Sequence, residues 1–125
     1  MKKIIHTGGA PDAIGPYSQA VIAGGFLFIS GQLGIDPATK ELDGDTAAQA
    51  ERALKNIGAI LREAGLEYDA IVKTTVLLAD INDFAKVNEV YARFFRSDFP
   101  ARAAYAAAGL PRGALVEIEA IAYAG

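Results

Sequence analysis

Arg102 and Glu117 fit their sequence surroundings least well and are the residues best equipped for chemistry. Arg102 follows Phe99-Pro100-Ala101 and enters the run Ala103-Ala104-Tyr105-Ala106-Ala107-Ala108, while Glu117 and Glu119 interrupt the apolar run from Val116 to Ala122. Charge in an apolar segment is expensive unless it is paired or hydrogen-bonded, so a chain that keeps it there has a use for it. A planar guanidinium suits the two oxygens of a carboxylate, and a neighbouring carboxyl group can accept and return a proton. The pair points to a small carboxylate-bearing ligand rather than to a polymer. Blander readings stand beside it. Arg102 equally suits an ion pair between subunits. Glu117 and Glu119, two apart, share a strand face, and one of them suits a solvent edge.

Four other residues belong to the same question. Ser30-Gly31-Gln32 ends an apolar segment, and a glycine at a strand end admits close approach by a backbone or a ligand, although Ser-Gly pairs also simply make turns. Tyr17 follows the rigid Ile14-Gly15-Pro16; its hydroxyl suits either a site or the watered rim of a core. Asn88 shares a helical face with Phe84, Tyr91 and Phe95. Its amide must find partners, either by tying the helix to a loop or by facing a pocket rim.

Composition narrows the field. The chain has 125 residues, enough for one domain with one core over 1–125. Its hydrophobic fraction of 52% is inflated by alanine, so oligomerisation would help it bury enough surface. Net charge is −3 with acids and bases interspersed, which gives no basic stripe for a nucleic-acid backbone. Without cysteine there is no disulfide, thiolate nucleophile or thiolate metal site. His6 is the only histidine and reads as a strand-edge residue rather than a metal ligand. The start, Met1 to His6, is basic but lacks the apolar core of a signal peptide, and no apolar stretch is long enough to span a bilayer. These features favour a cytoplasmic protein that binds neither nucleic acid nor membrane.

The elements that must position these residues follow from periodicity and punctuation. Residues 2–6 read as a short strand, and a Gly/Pro-rich loop runs from Gly8 to Pro16. Tyr17–Ala23 and Phe26–Gln32 flank Gly24-Gly25, a two-residue hairpin turn. After a loop from Gly34 to Gly44, Thr46 opens a helix with Gln49 as its capping-box partner. Ala50, Leu54, Ile57, Leu61 and Ala64 form its apolar stripe, and Gly65 ends it. Ile71–Ala79 is a β-branched strand. Asp80 or Asn82 caps a second helix striped by Phe84, Val87, Tyr91 and Phe94, and Pro100 prevents its continuation. Two strands finish the chain. The order β-β-β-α-β-α-β-β predicts an α+β fold, one mixed sheet with both helices on one face. The other face would lack cover, and small residues at Ala103, Ala120 and Ala122 would suit it to another subunit. If the last two strands formed a hairpin about Pro111, Arg102 would stand opposite Ala120, about 10 Å along the strand from Glu117.

Taken in order, Ile14-Gly15-Pro16-Tyr17-Ser18-Gln19-Ala20, Ser30-Gly31-Gln32, Val72-Lys73-Thr74-Thr75-Val76, Asn82-Asp83-Phe84, Val87-Asn88, Phe99-Pro100-Ala101-Arg102, Leu110-Pro111 and Val116-Glu117-Ile118-Glu119-Ala120-Ile121-Ala122 resemble the reactive intermediate deaminase family, the RidA/YjgF group. Each motif alone is weak; the ordered set, running from the first strand to the last, is specific. The resemblance implies a chorismate-mutase-like α+β fold and a homotrimer with clefts between subunits. It also implies hydrolysis of 2-imino acids, formed from enamines, to 2-keto acids and ammonia, with no metal or organic cofactor. It maps the carboxylate-binding arginine onto Arg102 and the other cleft positions onto Tyr17, Ser30, Gly31, Asn88 and Glu117, with Arg102, Glu117 and Tyr17 as the catalytic group. One position departs: many deaminating members carry Cys, Ser or Thr two residues after the arginine, where this chain has Ala104. The alternative is a non-catalytic trimer of the same fold that binds keto acids and regulates a partner. A ribonuclease or translation inhibitor, an activity attached to some relatives, lacks a basic groove here.

Overall fold

In a computed structural model describing residues 1–125, the expected element order is present. The strands are β1 (Lys3–Ile5), β2 (Ala20–Ala23), β3 (Phe26–Leu33), β4 (Ile71–Leu78), β5 (Ala101–Ala106) and β6 (Val116–Tyr123); the helices are α1 (Thr46–Glu63) and α2 (Phe84–Ala92). Gly24 and Gly25 take φ of 60° and 82°, the left-handed pair that a two-residue turn between twisted strands requires. β2 begins at Ala20 rather than at Tyr17. The buried Gln19 side chain holds the preceding loop out of the sheet, accepting from Thr7 N and donating to the carbonyls of Thr7 and Pro11.

The first helix starts at Thr46 as expected, but the capping box with Gln49 does not form. Asp45 is the N-cap and accepts from Ala48 N. Gln49 is buried and turned elsewhere: its amide donates to Asp43 O at 3.0 Å, and its Oε1 accepts from Leu115 N at 2.9 Å. At the other end Gly65 has φ of 78°. Leu66 N donates to Leu61 O and Gly65 N to Arg62 O, the paired bonds that close a helix on a left-handed residue. Ala50, Leu54, Ile57 and Leu61 are fully buried as the stripe requires. The second helix is entered through a 3-10 turn, Ile81–Asp83, capped by Asp80.

The strands lie in the order β1-β2-β3-β6-β4-β5. All neighbours are antiparallel except β4 and β5, which α2 joins as a crossover and which are therefore parallel. The last two strands form no hairpin, because β4 lies between them. Their relative height still matches the expectation: Thr74 pairs with Arg102 on one side and Ala120 on the other.

Both helices pack on one sheet face. Leu27, Ile29, Val76, Leu78, Val116 and Ile118 face them and form the core with the α1 stripe. Ala120 and Ala122 lie on this covered face, at 3% and 0% exposure, and not on the bare one. Alternation along β6 from the buried Val116 leaves them no other choice. The bare face carries Ala103 together with large groups: Phe26, Phe28, Tyr105 and Tyr123 are all exposed there.

Candidate functional site

The site begins with an irregularity in β3. Ile29 pairs with Ala120, yet Gln32 pairs with Ile118, so β3 carries one residue more than β6 between these points. This bulge keeps both Ile29 and Gln32 buried while setting Ser30 and Gly31 out of step with the ladder. Ser30 is tied to the loop before β2: its Oγ donates to Ser18 O at 2.6 Å and its N to Gln19 O at 2.9 Å. The hydroxyl proton is thus committed, and the oxygen keeps only acceptor capacity for a ligand. At Gly31 a Cβ would run into Glu117 Oε2, so glycine is the residue that lets the carboxyl group lie against the bulge.

Glu117 is half-buried on β6 and takes part in no ion pair of the chain. Burial, and secondarily the Glu119 carboxylate, push its pKa above the ordinary glutamate value. The shared face of Glu117 and Glu119 thus has an electrostatic consequence, and Glu119 is the exposed member. A cavity of about 850 Å³ opens over Glu117, lined also by Tyr17, Ser30, Gly31, Ile14, Ile35, Asp12, Lys40 and Arg112. Arg112 and Lys40 meet at its wall, where Arg112 Nη2 donates to Lys40 O at 3.2 Å. Sequence reasoning missed both. The Pro111-Arg112-Gly113 turn was a usable signal; nothing local marks Lys40.

Arg102 does not line this cavity. It leans from edge strand β5 over α2, where its Nη1 donates to Asn88 Oδ1 at 2.7 Å. Its guanidinium carbon lies 5.3 Å from the Phe84 ring centre and 5.0 Å from that of Tyr91. Asn88 therefore ties its helix to a strand residue and not to a loop. The Tyr91 hydroxyl shares a 2.7 Å hydrogen bond with the buried Thr74. Burial raises the Tyr91 pKa, opposed by Thr74 and by the Arg102 charge. Arg102 has no carboxylate partner within the chain. Ala104, two residues on and on the same face, is half-buried beside Val76 and adds only a methyl group.

The six predicted residues thus form two groups: Tyr17, Ser30, Gly31 and Glu117 around the cavity, Arg102 and Asn88 beyond β4. Arg102 is level with Thr74 and Glu117 with Leu77. Three residues along β4 and two strand spacings across it separate their backbones by about 14 Å, with the side chains on opposite faces. One copy of the chain cannot bring the two groups onto one small ligand. His6 does not line the cavity but stands 3.9 Å from Asp12, which does; no group of three or more His, Cys, Asp or Glu residues is placed to hold a metal ion. No helix is long and apolar enough to cross a membrane.

Comparison with known proteins gives a consistent answer. The family described as Endoribonuclease L-PSP matches residues 7–124. A bovine protein named 2-iminobutanoate/2-iminopropanoate deaminase is 59% identical over all of this chain and 92% of its own length; the human protein of that name is 55% identical with the same coverage. The crystal structure of Escherichia coli TdcF with bound serine superposes with a TM-score of 0.94 at 46% identity, covering 97% of this chain and 98% of that one. The chain belongs to the Endoribonuclease L-PSP family, the RidA/YjgF group.

Proposed function

We propose that this protein is a cofactor-independent hydrolytic deaminase. It would convert small 2-imino acids such as 2-iminobutanoate and 2-iminopropanoate, with their enamine tautomers, to 2-keto acids and ammonia. The observation that carries this reading is the unpaired Glu117 carboxyl group, half-buried against Gly31 in a cavity shared with Tyr17. Relatives at 55–59% identity bear the name of this activity, and a relative holds serine, an amino acid of similar size.

Imine hydrolysis asks little beyond placing substrate and water and moving a proton. The free edge of the Arg102 fork grips the substrate carboxylate through paired charge-assisted bonds. Glu117 takes a proton from water as its oxygen bonds to the C=N carbon, and the π electrons pass to nitrogen. The same carboxyl group then returns the proton to nitrogen. It next carries the remaining hydroxyl proton of the carbinolamine to the same nitrogen as the C=O bond forms, the C–N bond breaks and ammonia leaves. A raised pKa suits a group that must both accept and release a proton near neutrality. Tyr17 covers the ligand, Ser30 and Gly31 form the floor, and Asn88 holds the clamp.

Because the two groups lie on opposite faces, the site is completed between copies. We assign the copies to a homotrimer whose clefts each join Arg102 of one chain to Glu117 of the next; the bare sheet face with Phe26, Phe28, Tyr105 and Tyr123 supplies apolar surface for the contact. A non-catalytic trimer that binds keto acids is the second reading, and the apolar Ala104 beside the clamp favours it. Release of 2-oxobutanoate and ammonia from enzymatically generated 2-iminobutanoate, above the spontaneous rate, distinguishes them. Binding of 2-oxobutanoate without acceleration would leave only the second.

A further inference from the structure

Helix α2 presents Phe84, Asn88 and Tyr91 at spacings of four and three, on one stripe. All three meet Arg102: the rings stand 5.3 and 5.0 Å from its guanidinium carbon, and the amide takes an Nη1 hydrogen at 2.7 Å. Tyr91 is 4% exposed and fixed to Thr74, itself fully buried in β4. The stripe is therefore anchored to the sheet through one hydroxyl pair. Nε and Nη2 make no hydrogen bond within the chain, while Nη1 is the one nitrogen engaged. These two nitrogens form the side edge of the guanidinium, which presents two parallel N–H groups.

We infer that Phe84 and Tyr91 are positioning residues for Arg102, fixing the guanidinium plane so that a ligand carboxylate is received on the Nε/Nη2 edge. Neither ring needs to touch the ligand. A guanidinium stacked on aromatic faces is held in tilt as well as place, whereas an ammonium has no plane to orient. Asn88 fixes the remaining rotation by occupying the far nitrogen. The inference rests on the deaminase reading only for what the clamp is used for; the cradle itself concerns carboxylate binding.

The test compares Phe84→Leu and Phe84→Tyr, each in the wild-type and Arg102→Lys backgrounds, with 2-oxobutanoate affinity measured by calorimetry alongside kcat/KM for 2-iminobutanoate. Phe84→Leu should weaken 2-oxobutanoate binding and lower kcat/KM by about three- to tenfold, and whatever its packing loss does to the melting temperature should be the same in both Arg102 backgrounds. Phe84→Tyr, which keeps a ring, should restore both to within about twofold. In the Arg102→Lys background Phe84→Leu should add almost nothing, because it acts through the plane that lysine lacks. Tyr91→Phe keeps the ring but gives up the Thr74 bond, so it should lose less affinity than Tyr91→Leu. Equal losses in both Arg102 backgrounds, or full affinity in Phe84→Leu, would overturn the cradle. Calorimetry does not depend on turnover, so a wild-type protein that binds 2-oxobutanoate but hydrolyses no imine would defeat the deaminase reading while still judging the cradle. A wild-type protein that does not bind 2-oxobutanoate would defeat the cradle as well.

Discussion

At the residue scale, the proposed site rests on the opposition between Glu117 and Arg102: one is an unpaired acid whose pKa burial raises, the other a cation held by an amide and two rings. Glu117→Gln keeps shape and hydrogen bonding but cannot accept a proton, so turnover should fall by about a hundredfold or more while 2-oxobutanoate still binds. The same substitution should alter stability in a pH-dependent way. A carboxyl group whose pKa is raised on folding binds protons more tightly in the native state, so its contribution falls as pH rises from the unfolded value through the folded one. Glu117→Gln should therefore melt above wild type at pH 7–8, with the gap closing below the ordinary glutamate pKa of about 4.3; an equal gap at every pH would contradict a titrating Glu117. Arg102→Lys keeps the charge and loses the fork. Loss of one charge-assisted bond of about 1.5–3 kcal/mol predicts a fall in kcat/KM of roughly tenfold to more than a hundredfold. If Arg102 were instead a subunit ion pair, oligomeric mass would fall first and activity only in proportion. Measuring both on one Arg102→Lys sample separates the roles.

At the scale of elements, two glycines of one strand region have different duties. Gly31 faces the movable end of Glu117, and Gly34 faces the Gln49 backbone. Gly31→Ala should thus cost activity with little loss of stability, because a side-chain tip can swing away. Gly34→Ala should cost about 1–3 kcal/mol in thermal unfolding, because α1 cannot move aside. Equal melting temperatures for the two variants would refute this division. The elements themselves were largely legible. The α1 stripe, the Gly24-Gly25 turn and the Gly65 terminus are local signals, and local signals survive folding. What escaped was non-local. The bulge at Ser30-Gly31 exists because β3 must fit β6 while carrying Ser30 to the Ser18 carbonyl, a contact 12 residues away. The insertion of β4 between β5 and β6 follows from strand order, on which alternation within one strand is silent; the burial of Ala120 and Ala122, by contrast, was readable from the alternation of β6 beginning at Val116. Gln49 looked like a capping residue because its spacing from Thr46 is right; its tertiary bond to Leu115 takes it elsewhere.

At the scale of the molecule, the family resemblance names the six candidate residues as a set, but their division into two groups is not legible from it. That division needs the sheet order, which places β4 between the clamp and the acid and turns them to opposite faces. Under the proposed shared cleft, the bare sheet face is where a second copy would pack. Sedimentation equilibrium near neutral pH should return about three times the 13.1 kDa chain mass; a fully active monomer would refute the shared cleft. The most direct measurement mixes two inactive proteins, Arg102→Ala and Glu117→Gln, under conditions that exchange subunits. If each cleft takes Arg102 from one chain and Glu117 from its neighbour, random mixing at equal amounts regenerates one intact cleft in four, and imine hydrolysis should return to about a quarter of the wild-type rate. If both residues act within one chain, no intact site can form, and the mixture will be as inactive as its components.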